Sequence, residues 1–342
     1  MQAIPEYHGI SAGQFINELY PQGKPVVLRQ ALTHWPLIQA ALQSAEDLLR
    51  YLQPFDKGSQ ADVLLLAPQT GGRIFYTEDH QGFNFERRRY PLTAVLAQLL
   101  KMQLQPPCLH LALQSARLEH CLPGLEAKLD MPFLPEPATA RVWLGNQIQV
   151  PAHFDDGHNL ACVVAGRRRF MLFAPEQVAD LYPGALDFAP TGTPISLVNF
   201  NQPDFTRFPN ARRALAAAWQ AELGPGDLLY IPLLWWHQVQ SLDNVSMLLN
   251  YWWGGSLQAE APCPAAFDSL LHTMLSMQHY SVAERQAWAA MFQYFVFAKG
   301  IDPCAHLPDN LPALQRLLSS QTGELPAKER LEALRQWLSQ QL

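Results

Sequence analysis

Between about Arg141 and Gly254 the chain breaks into short runs rich in Val, Leu, Phe, Tyr and Trp, each closed by a proline or glycine turn. Runs of strand length at this spacing predict an antiparallel sandwich or barrel. The flanks read differently. Ahead of this region, Ser11-x-x-Gln14 has the form of a capping box before Phe15 and Leu19, and Pro25 to Arg29 reads as a buried strand. Ser44 is placed to cap a helix through Leu48, Leu49 and Leu52, and Leu92 to Met102 carries Val95, Leu96, Leu99 and Leu100 at helical spacing. Inside the β region, Pro175 opens a short helix through Val178 and Leu181, and Asn210 to Ala221 reads as an alanine-rich helical insert. After Gly255 the strand pattern stops. Three helical stretches are expected there: one with Phe267, Leu270, Leu271 and Met274 on a face, one opened by Ser281-x-x-Glu284 and ending before Gly300, and one striped by Leu331, Leu334, Trp337 and Leu338. The fold class is therefore mainly β with flanking helices, divided into residues 1–255 and a helical region over 256–342.

Composition narrows the function classes. At 342 residues and 49% hydrophobic content the chain is long enough to bury a large core, and its longest apolar runs fall far short of a membrane span of about 20 residues. The opening MQAIPEYHGIS lacks the basic flank and apolar run of a secretory signal, and Cys108, Cys121, Cys162, Cys263 and Cys304 form no C-x-x-C pair. A cytoplasmic protein with reduced thiols is expected. A net charge of −6 argues against nucleic acid as a partner, although Arg87 to Arg89 and Arg167 to Arg169 are local basic clusters.

The residues that carry chemistry lie in VPAHFDDGHNLACVVAGRRRF and GPGDLLYIPLLWWHQV. On a strand, His153 and Asp155 would point to one face about 7 Å apart, with Phe154 turned away. His237 follows a turn, a strand and two tryptophans, and on a neighbouring strand it would complete a three-point face. Two imidazoles and one carboxylate form the facial triad of non-heme Fe(II) oxygenases, which leaves coordination positions open. Trp235 and Trp236 would supply dry, rigid surroundings. Of the other histidines, His158 is near enough in sequence to border the site but is expected to be a loop histidine, while His8, His34, His80, His110, His120, His272, His279 and His306 show no ligand spacing.

The ordered string of these motifs resembles a known family. H-F-D, then N-L-x-x-x-V-x-G and R-R-F-x-L-F-x-P, then L-x-x-G-D-x-L-Y-I-P-x-x-W-W-H and N-Y-W-W, are similar to the Jumonji-C-like cupins related to the asparaginyl hydroxylase that inhibits hypoxia-inducible factor. KPVVLRQALTHWP (residues 24–36) resembles that family's N-terminal strand, and the likeness covers roughly residues 5–255.

The resemblance implies a double-stranded β-helix (jelly-roll, cupin) fold and an Fe(II)- and 2-oxoglutarate-dependent dioxygenase that hydroxylates a C–H bond of a protein, peptide or small molecule. It implies His153, Asp155 and His237 as catalytic metal ligands, with Asn159 and Asn250 near the cosubstrate or iron. Two positions depart from the pattern. Where the family has a lysine for the far carboxylate of 2-oxoglutarate this chain has Arg168, and where it has a threonine three residues before the first histidine this chain has Val150. An arginine can hold a carboxylate through two parallel hydrogen bonds, but a register slip of one residue would turn Arg167 or Arg169 inward instead. Two other readings stay open at this level: a metal cupin of another activity, such as an isomerase or a cosubstrate-free dioxygenase, and a binding module without turnover. The apolar stripes of the tail point to a homodimer through the C-terminal helices.

Overall fold

The computed structural model describes residues 1–103, 109–255, 266–297, 299, 332 and 336. It divides into two units, Met1–Leu257 and Gln258–Leu342. Six strands precede the region marked by the sequence: β1 (Gln2–Ala3), β2 (Glu6–His8), β3 (Val26–Arg29), β4 (Gln60–Leu66), β5 (Phe85–Pro91) and β6 (His110–Arg117). Eight more follow: β7 (Ala140–Gly145), β8 (Gln149–His153), β9 (His158–Ala165), β10 (Arg168–Phe173), β11 (Trp219–Leu223), β12 (Leu228–Ile231), β13 (Trp236–Ser241) and β14 (Ser246–Trp253).

These eight form two facing sheets. β12-β9-β14-β7 sit in the larger one and β11-β10-β13-β8 in the smaller, with every pair antiparallel. Successive strands switch sheets except β10 and β11, so the chain winds as a double-stranded β-helix, as the resemblance implies. The N-terminal strands extend both sheets: β1 joins β11, β2 and β3 join β12, and β6, β4 and β5 continue from β7.

Both faces of each sheet are covered, which is why the strands read as nearly continuous apolar runs. Between the sheets lie Ala161, Val163, Phe170, Leu172, Ile231, Val239 and Leu248. Burying a side chain such as Phe170 or Leu172 contributes about 1.5–3 kcal/mol. The outer face of the larger sheet is covered by helices Pro36–Gln43, Ala45–Leu52 and Leu92–Met102, whose Leu37, Ile38, Leu48, Leu52, Val95, Leu96 and Leu99 join one core with Leu160, Cys162 and Leu249. The 174–218 insert covers the smaller sheet, packing Leu181, Val198, Phe200 and Phe208 on Met171 and Phe173.

The expected caps are present: Gln14 N–H donates to Ser11 Oγ, and Asp47 N–H to Ser44 Oγ. One expectation is corrected. The helix of the insert spans only Ala211–Ala217, and Trp219 to Leu223 are a strand paired with β10. Ala221 and Leu223 face the barrel interior, and this tertiary pairing overrides the helical propensity of the alanines.

In the second unit, helices Ala266–Met277 and Val282–Phe295 are described, the latter opened by the expected Ser281/Glu284 capping box. Leu270, Met274, Trp288 and Phe295 are exposed. Gly300 and the Leu331, Leu334, Trp337, Leu338 stripe lie outside the described residues, as do Cys108, Cys263, Cys304 and His306. Among the described residues no helix is long and apolar enough to cross a membrane.

Candidate active site

β8 and β13 are neighbours, and their register brings His153 opposite His237. The register also shifts between Val150↔Val239 and His153↔His237, so three residues of β8 span what two span in β13. This bulge lets Val150 and His153, three apart in sequence, line the same cavity. β8 ends at His153, so Asp155 stands just beyond the strand and not within it as expected, yet it lines that cavity too. Phe154 turns the other way, edge-on to Trp236 with ring centroids 5.0 Å apart.

His153, Asp155 and His237 offer ligand atoms that all lie within 4.8 Å of one another. His237 Nε2 is 3.6 Å from Asp155 Oδ2, and the two imidazole centroids are 4.3 Å apart. Each ring is oriented by the backbone: His153 Nδ1 lies 2.9 Å from Pro151 O, and His237 Nδ1 lies 3.0 Å from Trp235 O. A carbonyl only accepts, so Nδ1 carries the hydrogen and Nε2 keeps its lone pair for a cation. Burial, reinforced by the neighbouring His237, holds the His153 pKa down at about 4, which keeps that imidazole neutral near pH 7. The donor set of two imidazole nitrogens and one carboxyl group fits a divalent cation of the Fe(II) kind.

The carboxylate is also held. Asn159 Nδ2 donates to Asp155 Oδ2 at 3.2 Å and Trp252 Nε1 donates to the same oxygen at 3.1 Å. Asn250 Nδ2 donates to Asn159 Oδ1 at 2.7 Å, while its own Oδ1 is buried without a donor among the described residues. Asn159 comes from β9, and β14 supplies Asn250 and Trp252 at period two: Ser246, Leu248, Asn250 and Trp252 share the inward face, while Met247, Leu249, Tyr251 and Trp253 join the outer core.

Across the cavity stands Arg168. It alternates with Phe170 and Leu172 on the inward face of β10, after Gly166, whose φ of 68° and close approach to Val245 O leave no room for a Cβ. Its side chain is 6% exposed, with Nε donating to Ser246 Oγ at 2.9 Å and Nη2 to Ser246 O at 3.4 Å. Burial pushes its pKa down to about 9, still cationic at neutral pH. Among the described residues it has no acidic partner, whereas Arg167 is exposed and paired with Asp243 and Glu222, and Arg169 is half-buried and paired with Glu222. A buried guanidinium without a counter-charge is expensive, so this end of the cavity suits an anion. The cavity encloses about 130 Å³ between the triad and Arg168.

Several residues around the cavity were missed by sequence reasoning, among them Trp252, which holds Asp155, and Thr191. Trp143 and Ser115 line the cavity, and Ser246 supports Arg168. Ser246 stands four residues before Asn250, so the period of β14 was a signal for it. Ser115 gave none, because it turns inward at a register shift of β6 with a φ of 44°. His158 opens β9 and is not in a loop: it stacks on Tyr230 and Trp253, and its Nδ1 meets Tyr230 Oη at 3.0 Å.

The family profile described as "Cupin-like domain" matches residues 12–258, nearly the whole barrel and its N-terminal layer. The chain belongs to the cupin-like domain family. This cupin-like chain is 38% identical over 113 residues to HSPB1-associated protein 1 of Homo sapiens, a stretch covering 32% of the chain and 22% of that protein. It is 27% identical over 258 residues to Jumonji C domain-containing protein 5 of Drosophila melanogaster, covering 73% of the chain and 59% of the relative. With the human bifunctional peptidase and (3S)-lysyl hydroxylase JMJD7 it shares 26% identity over 260 residues, covering 67% and 77%. The cupin-like chain thus spans less than a quarter of the HSPB1-associated proteins it matches.

Proposed function

We propose that this chain is an Fe(II)- and 2-oxoglutarate-dependent oxygenase that hydroxylates a C–H bond of a protein, peptide or small-molecule substrate. The observation that carries the reading is one cavity with a His-Asp-His cluster at one end and, at the other, a buried arginine without an acidic partner among the described residues. Membership in a family with a relative named as a lysyl hydroxylase and another named as a lysine-specific demethylase supports it. Bound in this site, Fe(II) with 2-oxoglutarate and O2 supplies the oxidising chemistry that yields succinate, CO2 and a hydroxylated carbon.

The chain's own groups have separate tasks. His153, Asp155 and His237 hold the metal, each imidazole aimed by its Nδ1–H bond to a carbonyl. Asn159 and Trp252 fix the Asp155 carboxylate. Asn250 orients Asn159 and leaves Oδ1 as an open acceptor for a ligand or ordered water. Arg168 takes the far carboxylate of 2-oxoglutarate, the task of the family lysine. Phe170, Ile231, Val239 and Leu248 line the space between with apolar surface that excludes water.

The proposal extends to residues 1–255 as the oxygenase unit and 256–342 as a helical region through which two copies pair, supported by the exposed apolar side chains of its described helices. A cytoplasmic setting is supported by the free, buried thiols of Cys121 and Cys162. The net charge of −6 favours a protein or small molecule over nucleic acid. Incubating the Fe(II)-loaded protein with cell extract, with and without 2-oxoglutarate, tests the function. A component that gains one oxygen atom only with 2-oxoglutarate supports it, and an extract unchanged under both conditions speaks against it.

A further inference from the structure

Trp143 stands on the inward face of β7, opposite Leu248 of β14, while its neighbours Val142 and Leu144 turn into the outer core. Its ring meets that of Trp252 edge-on at 6.3 Å and 84°. Its Nε1 is buried and donates to nothing among the described residues. Buried indole N–H groups ordinarily find an acceptor, so this one asks for an occupant. Trp143 lines the main cavity together with Arg168, and it also lines the small extension that Arg168, Val150, Val239 and Ser241 enclose. The unpartnered indole N–H of Trp143 and the Arg168 guanidinium, bonded only to Ser246 among the described residues, therefore belong to residues that line the same cavity.

A carboxylate offers about four acceptor positions, and a guanidinium fork fills at most two of them. A hydroxyl from β8 cannot serve, because the inward residue there is Val150, packed opposite Val239. We propose that the indole N–H of Trp143 is a second donor to the distal carboxylate of 2-oxoglutarate, beside Arg168 and in place of the hydroxyl that Val150 lacks. The inference rests on the oxygenase reading above. It makes Trp143 a cosubstrate-specificity residue: it favours 2-oxo acids with a carboxylate at the far end.

The test compares two ligands of equal chain length, 2-oxoglutarate and 2-oxopentanoate, which lacks the distal carboxylate. Both are titrated calorimetrically into the full chain loaded with Mn(II). Trp143→Phe removes the N–H and keeps the aromatic shape. It is expected to weaken 2-oxoglutarate about tenfold or more, the loss of one hydrogen bond to a charged group, and to leave 2-oxopentanoate unchanged. Adding Val150→Thr in that background is expected to restore most of the lost affinity. Natural-chain affinity for 2-oxoglutarate in Trp143→Phe, or an equal loss for both ligands, would overturn the proposal. Natural protein that binds Mn(II) but not 2-oxoglutarate removes the oxygenase reading as well, so the two failures are distinct. Should Trp143→Phe not fold, indole ¹⁵N–¹H spectra of the natural chain loaded with Zn(II) decide. A tryptophan N–H resonance that moves downfield with 2-oxoglutarate and not with 2-oxopentanoate is expected, and spectra unmoved by 2-oxoglutarate refute the donor.

Discussion

Replacing Arg168 by methionine separates two opposite effects of one buried charge. The guanidinium is 6% exposed, hydrogen-bonded to Ser246 alone, and without an acidic partner among the described residues. If it holds the far carboxylate of 2-oxoglutarate, its loss leaves that carboxylate buried and unpaired. This costs about 3–5 kcal/mol, or two to four decades in affinity. The ligand-free protein should respond in the other direction. There the charge has no counter-ion, and a methionine of similar reach in the apolar wall formed by Phe170 and Leu248 should stabilise the fold by about 1–4 kcal/mol. Calorimetric titration of 2-oxoglutarate into Mn(II)-loaded protein and thermal melting without ligand measure the two. Arg167→Ala and Arg169→Ala are the controls, since both side chains are paired with acids. Unchanged affinity in Arg168→Met, or a large loss in either control, would refute the assignment.

Trp252→Phe removes one of the two side-chain donors to Asp155 Oδ2, and metal affinity should fall about 10–100-fold while the barrel stays folded, as read by Mn(II) titration beside a melting curve. At the opposite end of the barrel, Arg29 bridges Glu6 and Asp227, and its hydrogen bond holds the Glu6 carboxyl below its ordinary value of 4.5. A lowered acid stabilises the fold above about pH 4.5 and loses that contribution as pH falls through its folded value; urea midpoints followed from neutral pH into acid should show this limb in the natural chain and not in Arg29→Met. Light scattering should give a dimer for the intact chain and a monomer after Leu270→Asp with Met274→Asp; a monomeric intact chain would end the pairing proposal.

The sequence carried the barrel more clearly than the wall of its cavity. Proline and glycine turns from Arg141 onward mark strand lengths whatever the partners, and seven of the eight barrel strands begin inside that span, with β7 starting one residue earlier. The inward arginine was harder to read. In R-R-R-F-M-L-F both faces of β10 are apolar, because Phe170 and Leu172 face the opposite sheet while Met171 and Phe173 face the insert, so alternation alone could not choose among three arginines. Gly166 and the pairing of Arg168 with Ser241 resolve it. The bulge that puts Val150 and His153 on one cavity, and the left-handed Ser115, leave no periodic trace. Trp143 was invisible for another reason: a tryptophan in an apolar strand reads as core, and only an indole N–H without an acceptor sets it apart.

The central claim is that His153, Asp155 and His237 hold an iron that turns over 2-oxoglutarate. Proton NMR of the purified chain with Fe(II), 2-oxoglutarate and O2 tests it without knowledge of the substrate, because oxidative decarboxylation leaves succinate. The account predicts succinate from the natural chain, none without Fe(II), and none from Asp155→Ala. Succinate formation that survives Asp155→Ala, or protein that binds both metal and 2-oxoglutarate yet never forms succinate, would contradict it.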